Sequence, residues 1–533
     1  MNRFASVWLL VTAAVLGAVV MAVEILGARL LGAAYGGSLA VWAAMIAVTL
    51  LSLAVGYFVG GWAADRRPKP ALLYGILLAA SALVVLCPHT RFILKACHDA
   101  LGIQGGALAS SLIVFALPLG LMGVTGPFVI RLLCASGIET CPRPPAAPAP
   151  DPDCESGKGV GIRAGGVYAV STLGSVAGTL LTGLWLIQTF GTAAGFRIAA
   201  VTGALVAAVG LVSALRLRGA AALVAPALLA FAPLPVSRVG QTYTAPDGEP
   251  VKIVEVRDSA HGRISVLDKG DYRLLVVNGI IQTGVPRRGQ AKGRGLSEQY
   301  FQELLPYTVD DPAKTSGLIV GLAGGMTASM LRLYGMELDC VDLDPEIIRV
   351  ARDYFGFAGP ATAADGRTFL ESCSRRYDFC VIDTYSGDVF PFHLATREAF
   401  AAAKGVLKPG GILAINYIGS PAGKGYACLD ATVRAVFPHV RAIRGEPGDD
   451  VQTVTVFASD KPIAFNKGWL ELSAGFSGVD PVSESIERLT LAAAPAGGFV
   501  LTDDYNPIDM LRAGEALRWR ARTARNIGEA AIF

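Results

Sequence analysis

The sequence predicts a multi-pass α-helical membrane domain, then a small antiparallel β unit, then a doubly wound α/β domain. Three observations lead there. Of 533 residues, 53% are hydrophobic and only 17% charged, against about 25% charged in ordinary soluble domains. The charge is unevenly spread: 14 basic and 7 acidic groups stand before residue 236, and 32 basic and 36 acidic groups after it. Beyond residue 250, short β-rich runs give way to strands alternating with helical patterns, as a parallel sheet requires. Disorder and a highly charged nucleic-acid binder are thereby excluded, and a lipid bilayer is the expected partner of the first half.

Crossing the hydrocarbon takes about 20 apolar residues as helix. Stretches 6–33, 39–62, 70–88, 106–133 and 166–190 satisfy this, a sixth spans 193–215, and a seventh, 219–235, is short and carries Pro226 and Pro233. Together they make a membrane domain over 1–236. The opening Met1-Asn2-Arg3 and its apolar run read as a first span rather than a leader, because the run continues past Glu24. Gly56/Gly60 and Gly174/Gly178 recur at four-residue spacing, which lets helices approach closely or reflects a glycine-rich chain. A buried charge in a span costs about 2.5–3.5 kcal/mol, so Glu24 is expected in a structural ion pair, while Arg29 can snorkel. Arg66, Arg67, Lys69, Arg216 and Arg218 mark cytoplasmic loops, with the amino terminus inside. Six spans leave the rest of the chain in the cytoplasm and seven put it outside. Pro142–Gly166 reads as a linker. Nine cysteines show no CxxC pair, so no metal site is expected; Cys134, Cys141 and Cys154 cluster near that linker and read as free thiols, or as a disulfide pair if the loop faces an oxidising compartment.

Over 250–290, Arg263–Leu267, Tyr272–Val277 and Ile280–Thr283 are separated by Asp268–Asp271 and by Asn278-Gly279, both suited to tight hairpins. Within 291–533, Leu318–Gly321, Leu338–Asp342, Tyr377–Asp383 and Gly411–Tyr417 read as strands. Helices are expected near Ala328–Tyr334, Pro345–Tyr354, Arg367–Ser372 and Thr396–Gly405. The first strand runs into Gly321-Leu-Ala-Gly324-Gly325, and Asp342 ends the next strand 21 residues after Gly321. Glycines let backbone approach a nucleoside, and the acid suits a ribose diol. Asp365-Gly366, one βα step later, is positioned for an adenine amino group. Asp383 ends the strand Tyr377–Asp383, a place for a carboxylate that takes a proton. Asp388 and Tyr385 are candidate substrate ligands in the following turn, which should fold over the site, with Asp388 otherwise an exposed loop acid; Asp503, Asp504 and Tyr505 are candidate ligands for a cation or the cap of a helix beginning at Ile508–Leu511. His393 reads as packing and Glu303 as a supporting acid or a surface charge.

The Gly loop with LDCVDLDP and YDFCVIDTYSGD resembles the class I S-adenosylmethionine-dependent, methyltransferase-like fold. The order His261-Gly-Arg-Ile, Asn278-Gly-Ile-Ile-Gln282, Gln302-Glu303-Leu-Leu-Pro306, the Gly loop, Asp342, Asp365 and Asp383 is similar to the spermidine synthase (polyamine aminopropyltransferase) family over most of 250–460. MAVEILGARLLG and VGYFVGGWAADRR resemble the transporter-like membrane half of fused members. The resemblance implies that Gln282 and Asp342 hold ribose, Asp365 contacts adenine and Asp383 faces the attacking amine. The chain departs from the family in having Gly324 where an acid stands in the Gly loop, His261 where a Tyr stands, and Asp383-Thr-Tyr-Ser-Gly-Asp388 for the family's short acidic turn.

The expectation is therefore a transferase passing an aminopropyl group from decarboxylated S-adenosylmethionine to putrescine or a related polyamine, releasing methylthioadenosine. It would work at the inner membrane with its soluble domain in the cytoplasm, where adenosyl donors are made, and a homo-oligomer is compatible with it. Because Gly324 removes an anionic anchor, ordinary S-adenosylmethionine competes as donor, with transfer to a membrane-delivered or small acceptor or a lyase reaction as the alternative. A polyamine transporter with a nucleoside-sensing domain is the third reading.

Overall fold

The structure, a computed structural model, describes residues 3–36, 39–135, 160–234, 239–287, 301–445, 450–466, 482–492 and 495–528. It divides into two compact units that part at Ser237/Arg238.

The first unit is all helix: α1 (Arg3–Tyr35), α2 (Leu39–Arg66), α3 (Pro70–Leu86), α4 (Arg91–Gly123), α5 (Thr125–Ala135), α6 (Val160–Leu181), α7 (Ile187–Leu215) and α8 (Val224–Ala230). Five helical stretches among the described residues are long and apolar enough to cross a membrane: Phe4–Gly32, Val41–Arg66, Pro70–His89, Gly105–Ala135 and Gly161–Leu215. The last has 55 residues, which at about 1.5 Å each is more than twice the roughly 30 Å hydrocarbon core. It breaks at Gly191, whose φ of 76° and ψ of 173° no helix accommodates. The fifth and sixth sequence-predicted stretches are the two sides of that break. The seventh ends in the seven-residue α8, too short to span.

Both glycine pairs pack helix on helix. A Cβ on Gly174 would lie 1.9 Å from the Ala14 carbonyl oxygen, and one on Gly56 2.3 Å from that of Gly120. Backbone thus touches backbone between α1 and α6 and between α2 and α4. Glu24 lies beside the Thr49 hydroxyl. The linker reading is corrected at its end, since Val160 already begins α6; residues 142–159, with Cys154, and Cys141 just before them lie outside the described residues.

The second unit opens with a five-stranded antiparallel sheet in the order β1 (Thr242–Thr244), β2 (Pro250–Asp258), β3 (Arg263–Lys269), β4 (Tyr272–Val277), β5 (Ile280–Pro286). Asn278 and Gly279 have φ of 49° and 79°, so Val277 pairs directly with Ile280 across the two-residue hairpin that Asn-Gly favours. A seven-stranded sheet follows, β11-β12-β10-β9-β6-β7-β8. Its strands are β6 (Ser316–Val320), β7 (Glu337–Asp342), β8 (Ala361–Ala363), β9 (Tyr377–Ile382), β10 (Leu407–Gly419), β11 (His439–Arg444) and β12 (Gln452–Ser459). The five from β8 to β10 are parallel. Helices α9 (Met326–Leu333), α10 (Pro345–Phe355), α11 (Gly366–Ser372) and α12 (Arg397–Gly405) stand where the periodicity predicts them.

A purely parallel sheet is corrected in one respect. β12 runs antiparallel to both β10 and β11, because β11 and β12 are too close in sequence for the helical crossover a parallel pair needs. The β unit packs through Ile264, Val266 and Leu275 against Ile347 and Val350 of α10. A C-terminal helix runs over Ile508–Ile527.

Candidate active site

A cavity of about 680 Å³ opens at the carboxyl ends of β6, β7, β9 and β10, with β4, β5 and the C-terminal helix as its other walls. In a doubly wound sheet this is where loops diverge and ligands bind.

The Gly loop forms the floor. Gly321 has φ of 94°, and a Cβ there would sit 1.9 Å from the Asp383 carbonyl oxygen; only glycine lets β6 turn so close to β9. Asp342 Oδ2 accepts the Leu322 N–H at 2.8 Å and its Oδ1 the Asp344 N–H at 2.9 Å. Burial pushes its pKa up, and these two N–H groups offset part of that. Asp342 therefore holds the loop as well as facing the cavity. Asp344, which the sequence reading passed over, caps α10 through the Glu346 N–H and accepts from the Ser259 hydroxyl at 2.5 Å.

Asp365 caps α11: its Oδ1 accepts the Thr368 N–H at 2.9 Å and hydroxyl at 3.0 Å, and its Oδ2 meets His393 Nε2 at 3.0 Å. Burial alone would raise its pKa, but the Thr368 N–H and His393 bring it below the usual carboxylate range. His393 is thus more than a packing residue. It and Gly366 line the cavity beside Asp365.

Asp383 follows β9 directly. Asn416 Nδ2 donates to its Oδ1 at 2.8 Å, and Gln302 Nε2 reaches Oδ2 at 3.5 Å. Burial pushes its pKa up to about 6, against the Asn416 hydrogen bond. Both amides spend N–H on the carboxylate, and their carbonyl oxygens, buried, have no hydrogen-bond partner. A buried carboxylate between two orphan acceptors suits a protonated amine, which brings two or three donors at once. Asn416 was legible in principle: Ile415 pairs with Ile382, so the next residues, Asn416 and Asp383, emerge side by side.

Gln282 lines the cavity and donates to the Gly387 carbonyl at 3.1 Å. Tyr385 lines it too, its hydroxyl accepting the Ile418 N–H at 2.7 Å. Gly325 N–H closes the loop on Leu322 O at 2.7 Å. Gly324 donates its N–H to Thr283 Oγ1 at 3.0 Å, and a Cβ there would meet Thr283 Cγ2 at 2.7 Å.

The remaining candidates lie elsewhere. Asp388 is taken by Arg520, Nη2 to Oδ1 at 2.8 Å and Nε to Oδ2 at 3.3 Å, with 2% and 9% of the two side chains exposed. Asp503 bonds Thr396 Oγ1 at 2.7 Å and pairs with Arg367. Asp504 is exposed, and Tyr505 is 63% exposed against Phe499. None of the four lines the cavity. Nor do Asp503 and Asp504 cap the last helix, since Asn506 Oδ1 takes the Ile508 N–H. Glu303 is 4% exposed, which excludes a surface charge, and burial pushes its pKa up to about 7.

The comparisons with known proteins agree with this geometry. The chain is 24% identical over 274 residues to a probable polyamine aminopropyl transferase of Bifidobacterium longum, covering 48% of this chain and 61% of that one. It is 28% identical over 229 residues to a polyamine aminopropyltransferase of Vibrio vulnificus, covering 40% and 75%. The chain carries a spermidine-synthase-like domain. An N-terminal histidine N-methyltransferase of Emericella nidulans is 29% identical over 167 residues, 29% of this chain and 30% of that one. No family model matches the chain, and it spans less than two thirds of the length of the Bifidobacterium longum and Emericella nidulans proteins. The spermidine-synthase-like domain shares with the methyltransferase-like fold the parallel strands, Gly loop and acids that an S-adenosylmethionine-related co-substrate requires.

Proposed function

We propose that the spermidine-synthase-like domain transfers the aminopropyl chain of decarboxylated S-adenosylmethionine to the nitrogen of putrescine or a related amine. The observation that carries this is Asp383, buried at a strand end between Asn416 and Gln302 with its pKa raised to about 6. At neutral pH such a carboxylate is ionised yet is a better base than an exposed one. The amine nitrogen attacks the chain carbon beside sulfur, the C–N bond forms, the C–S bond breaks, and methylthioadenosine leaves with the bonding pair. The proton shed by nitrogen passes to Asp383. Asp342 and Asp365 are the proposed partners of ribose and adenine, with Gln282 beside the ribose; binding of the nucleoside is their task and proton transfer is that of Asp383.

Transfer from ordinary S-adenosylmethionine is the second reading, favoured by one observation: Gly324 has no side chain and Thr283 fills the space. We further propose that the helical unit holds the protein in the inner membrane, with six crossings, since the Gly161–Leu215 stretch breaks at Gly191 and α8 is too short. An even number returns the soluble unit to the cytoplasm, the side indicated by the basic loops.

The test is incubation of the purified full chain with each donor and putrescine, with mass spectrometry of the products. Methylthioadenosine together with spermidine supports the proposal. S-adenosylhomocysteine with a methylated amine overturns it in favour of methyl transfer, and methylthioadenosine without an amine adduct points to a lyase.

A further inference from the structure

We propose that Asn416 holds the attacking nitrogen by one of its N–H bonds and thereby restricts the acceptor to primary amines. The inference rests on the aminopropyl-transfer reading above and names which nitrogen of a polyamine the same site can use. Asn416 lies on β10, the strand between β9 and β12, and lines the cavity beside Asp383 with only 4% of its surface exposed. Its amide has one orientation open to it. An ionised carboxylate only accepts hydrogen bonds, so the group 2.8 Å from Asp383 Oδ1 is Nδ2 and the amide oxygen is turned elsewhere. Among the described residues that oxygen is buried and has no hydrogen-bond partner. Only a donor can satisfy it, and leaving it unmet costs more than an average hydrogen bond contributes.

Its neighbours narrow what the donor is. Gln302 also carries a buried, unpartnered oxygen, but it is fully buried and does not line the cavity; its part is to hold Asp383 Oδ2. Thr384 lines the cavity with an unpartnered hydroxyl, yet a hydroxyl donates as well as accepts and does not demand a donor. Asn416 does, and it stands against the carboxylate that takes the proton, so the N–H it meets is on the reacting nitrogen. A primary amine poised to attack has a lone pair and two N–H bonds. With one N–H on Asp383 and the other on Asn416 Oδ1, the nitrogen cannot turn about its own C–N bond, and the lone pair is kept toward the donor carbon. The new C–N bond then forms, the donor C–S bond breaks, methylthioadenosine leaves with the electron pair, and the N–H on Asp383 gives its proton to that carboxylate. A secondary amine has a single N–H. It leaves either Asp383 or Asn416 unmet and loses the fixed direction with it. The nitrogen that has reacted is itself secondary, so the same contact opposes a second transfer there and keeps the product linear.

The test is competition within one acceptor, N-methylputrescine, which carries a primary and a secondary nitrogen. The full chain is incubated with decarboxylated S-adenosylmethionine and this amine, and fragmentation in the mass spectrometer reports which nitrogen bears the new chain. The wild type is expected to favour the primary nitrogen about tenfold or more. Asn416→Leu keeps the volume and loses the acceptor, so the ratio should fall to near parity. Turnover should also slow, because Asp383 loses the Nδ2 donor, but a role confined to supporting Asp383 would slow both nitrogens alike and leave the ratio unmoved. Asn416→Ala, read in the same way, serves if the leucine variant does not fold. Comparable alkylation of both nitrogens by the wild type overturns the proposal without any variant. So does a folded Asn416→Leu protein that keeps the wild-type ratio, which would assign the preference to crowding by the methyl group. Absence of methylthioadenosine with both N-methylputrescine and putrescine refutes the aminopropyl-transfer reading itself, whereas methylthioadenosine with both nitrogens alkylated refutes only the role of Asn416.

Discussion

Two ends of one cavity use the same side chain in opposite ways. At the proposed nucleoside end, Asp342, Asp344 and Asp365 are bonded to backbone N–H groups, a hydroxyl or an imidazole, and they cap helices and pin the Gly loop. At the proposed reacting end, Asp383 has only two amides, and burial raises its pKa to about 6. Saturated acids make a rigid frame; an undersatisfied one holds a proton near the working pH. Asp388, expected at the reacting end, belongs by its environment to the saturated class.

The largest effect should come from that assignment. Asp388→Ala would leave Arg520 buried without its anion, a loss of about 3–5 kcal/mol in stability. A large fall in the melting temperature of the second unit is expected. A variant as stable as wild type but unable to turn over amine would return Asp388 to the site.

Asp383→Asn should do the reverse, losing activity while gaining stability. Turnover should fall by about 10²-fold or more, with donor affinity nearly unchanged. Because the folded-state pKa of about 6 stands above the unfolded value, the stability linked to this group is fully present below about pH 4. It is lost as pH rises through about 6, to the extent of roughly 3 kcal/mol. Asn cannot ionise, so at pH 8 the variant should melt above wild type and at pH 3.5 the advantage should vanish. In the wild type, turnover should decline below about pH 6 as the base protonates. Equal melting at both pH values would show that Asp383 is not a strained, buried carboxylate.

Asp342→Ala should have a smaller effect than either. Removing an acid that holds the Gly loop and faces the cavity should weaken adenosyl-ligand binding about 10–100-fold, the scale of a lost charge-assisted hydrogen bond. The chemical step should be affected less. Unchanged affinity in titration would separate the loop-holding role from any contact with ribose.

What was legible in the sequence follows from how far apart the partners lie. The Gly loop, Asp342 and Asp383 stand at ends of strands recognisable from local apolar runs, and β6, β7, β9 and β10 appear where those runs predict, whereas the three-residue β8 before Asp365 has no such run. The partners that set each acid's behaviour are remote: Asn416 is 33 residues from Asp383, His393 is 28 from Asp365, and Arg520 is 132 from Asp388. Local periodicity holds no record of such pairings. The cavity face of the C-terminal helix escaped for a related reason: its stripe of Trp519, Arg522, Thr523 and Asn526 mixes polar and apolar residues, so it shows no clear amphipathic pattern. In the helical unit the opposite holds, since glycine spacing is local, and of the two readings it allowed both pairs follow close packing.

The smallest effect tests the frame at its most exposed acid. His393 meets Asp365 Oδ2 at 3.0 Å, and the Asp365 pKa lies below the usual range because the Thr368 N–H and His393 outweigh burial. A lowered carboxylate pKa gives stability that is present above the unfolded value near pH 4 and lost as pH falls through the folded one. His393→Leu removes one of three partners of Asp365, a net hydrogen-bond contribution of about 0.5–1.5 kcal/mol. Affinity for methylthioadenosine should therefore fall only about two- to tenfold in calorimetric titration, because the Thr368 N–H and hydroxyl still hold Oδ1. A loss greater than a hundredfold would mean that His393 touches the ligand itself, and the proposed nucleoside end would then contain a reading residue rather than only a frame.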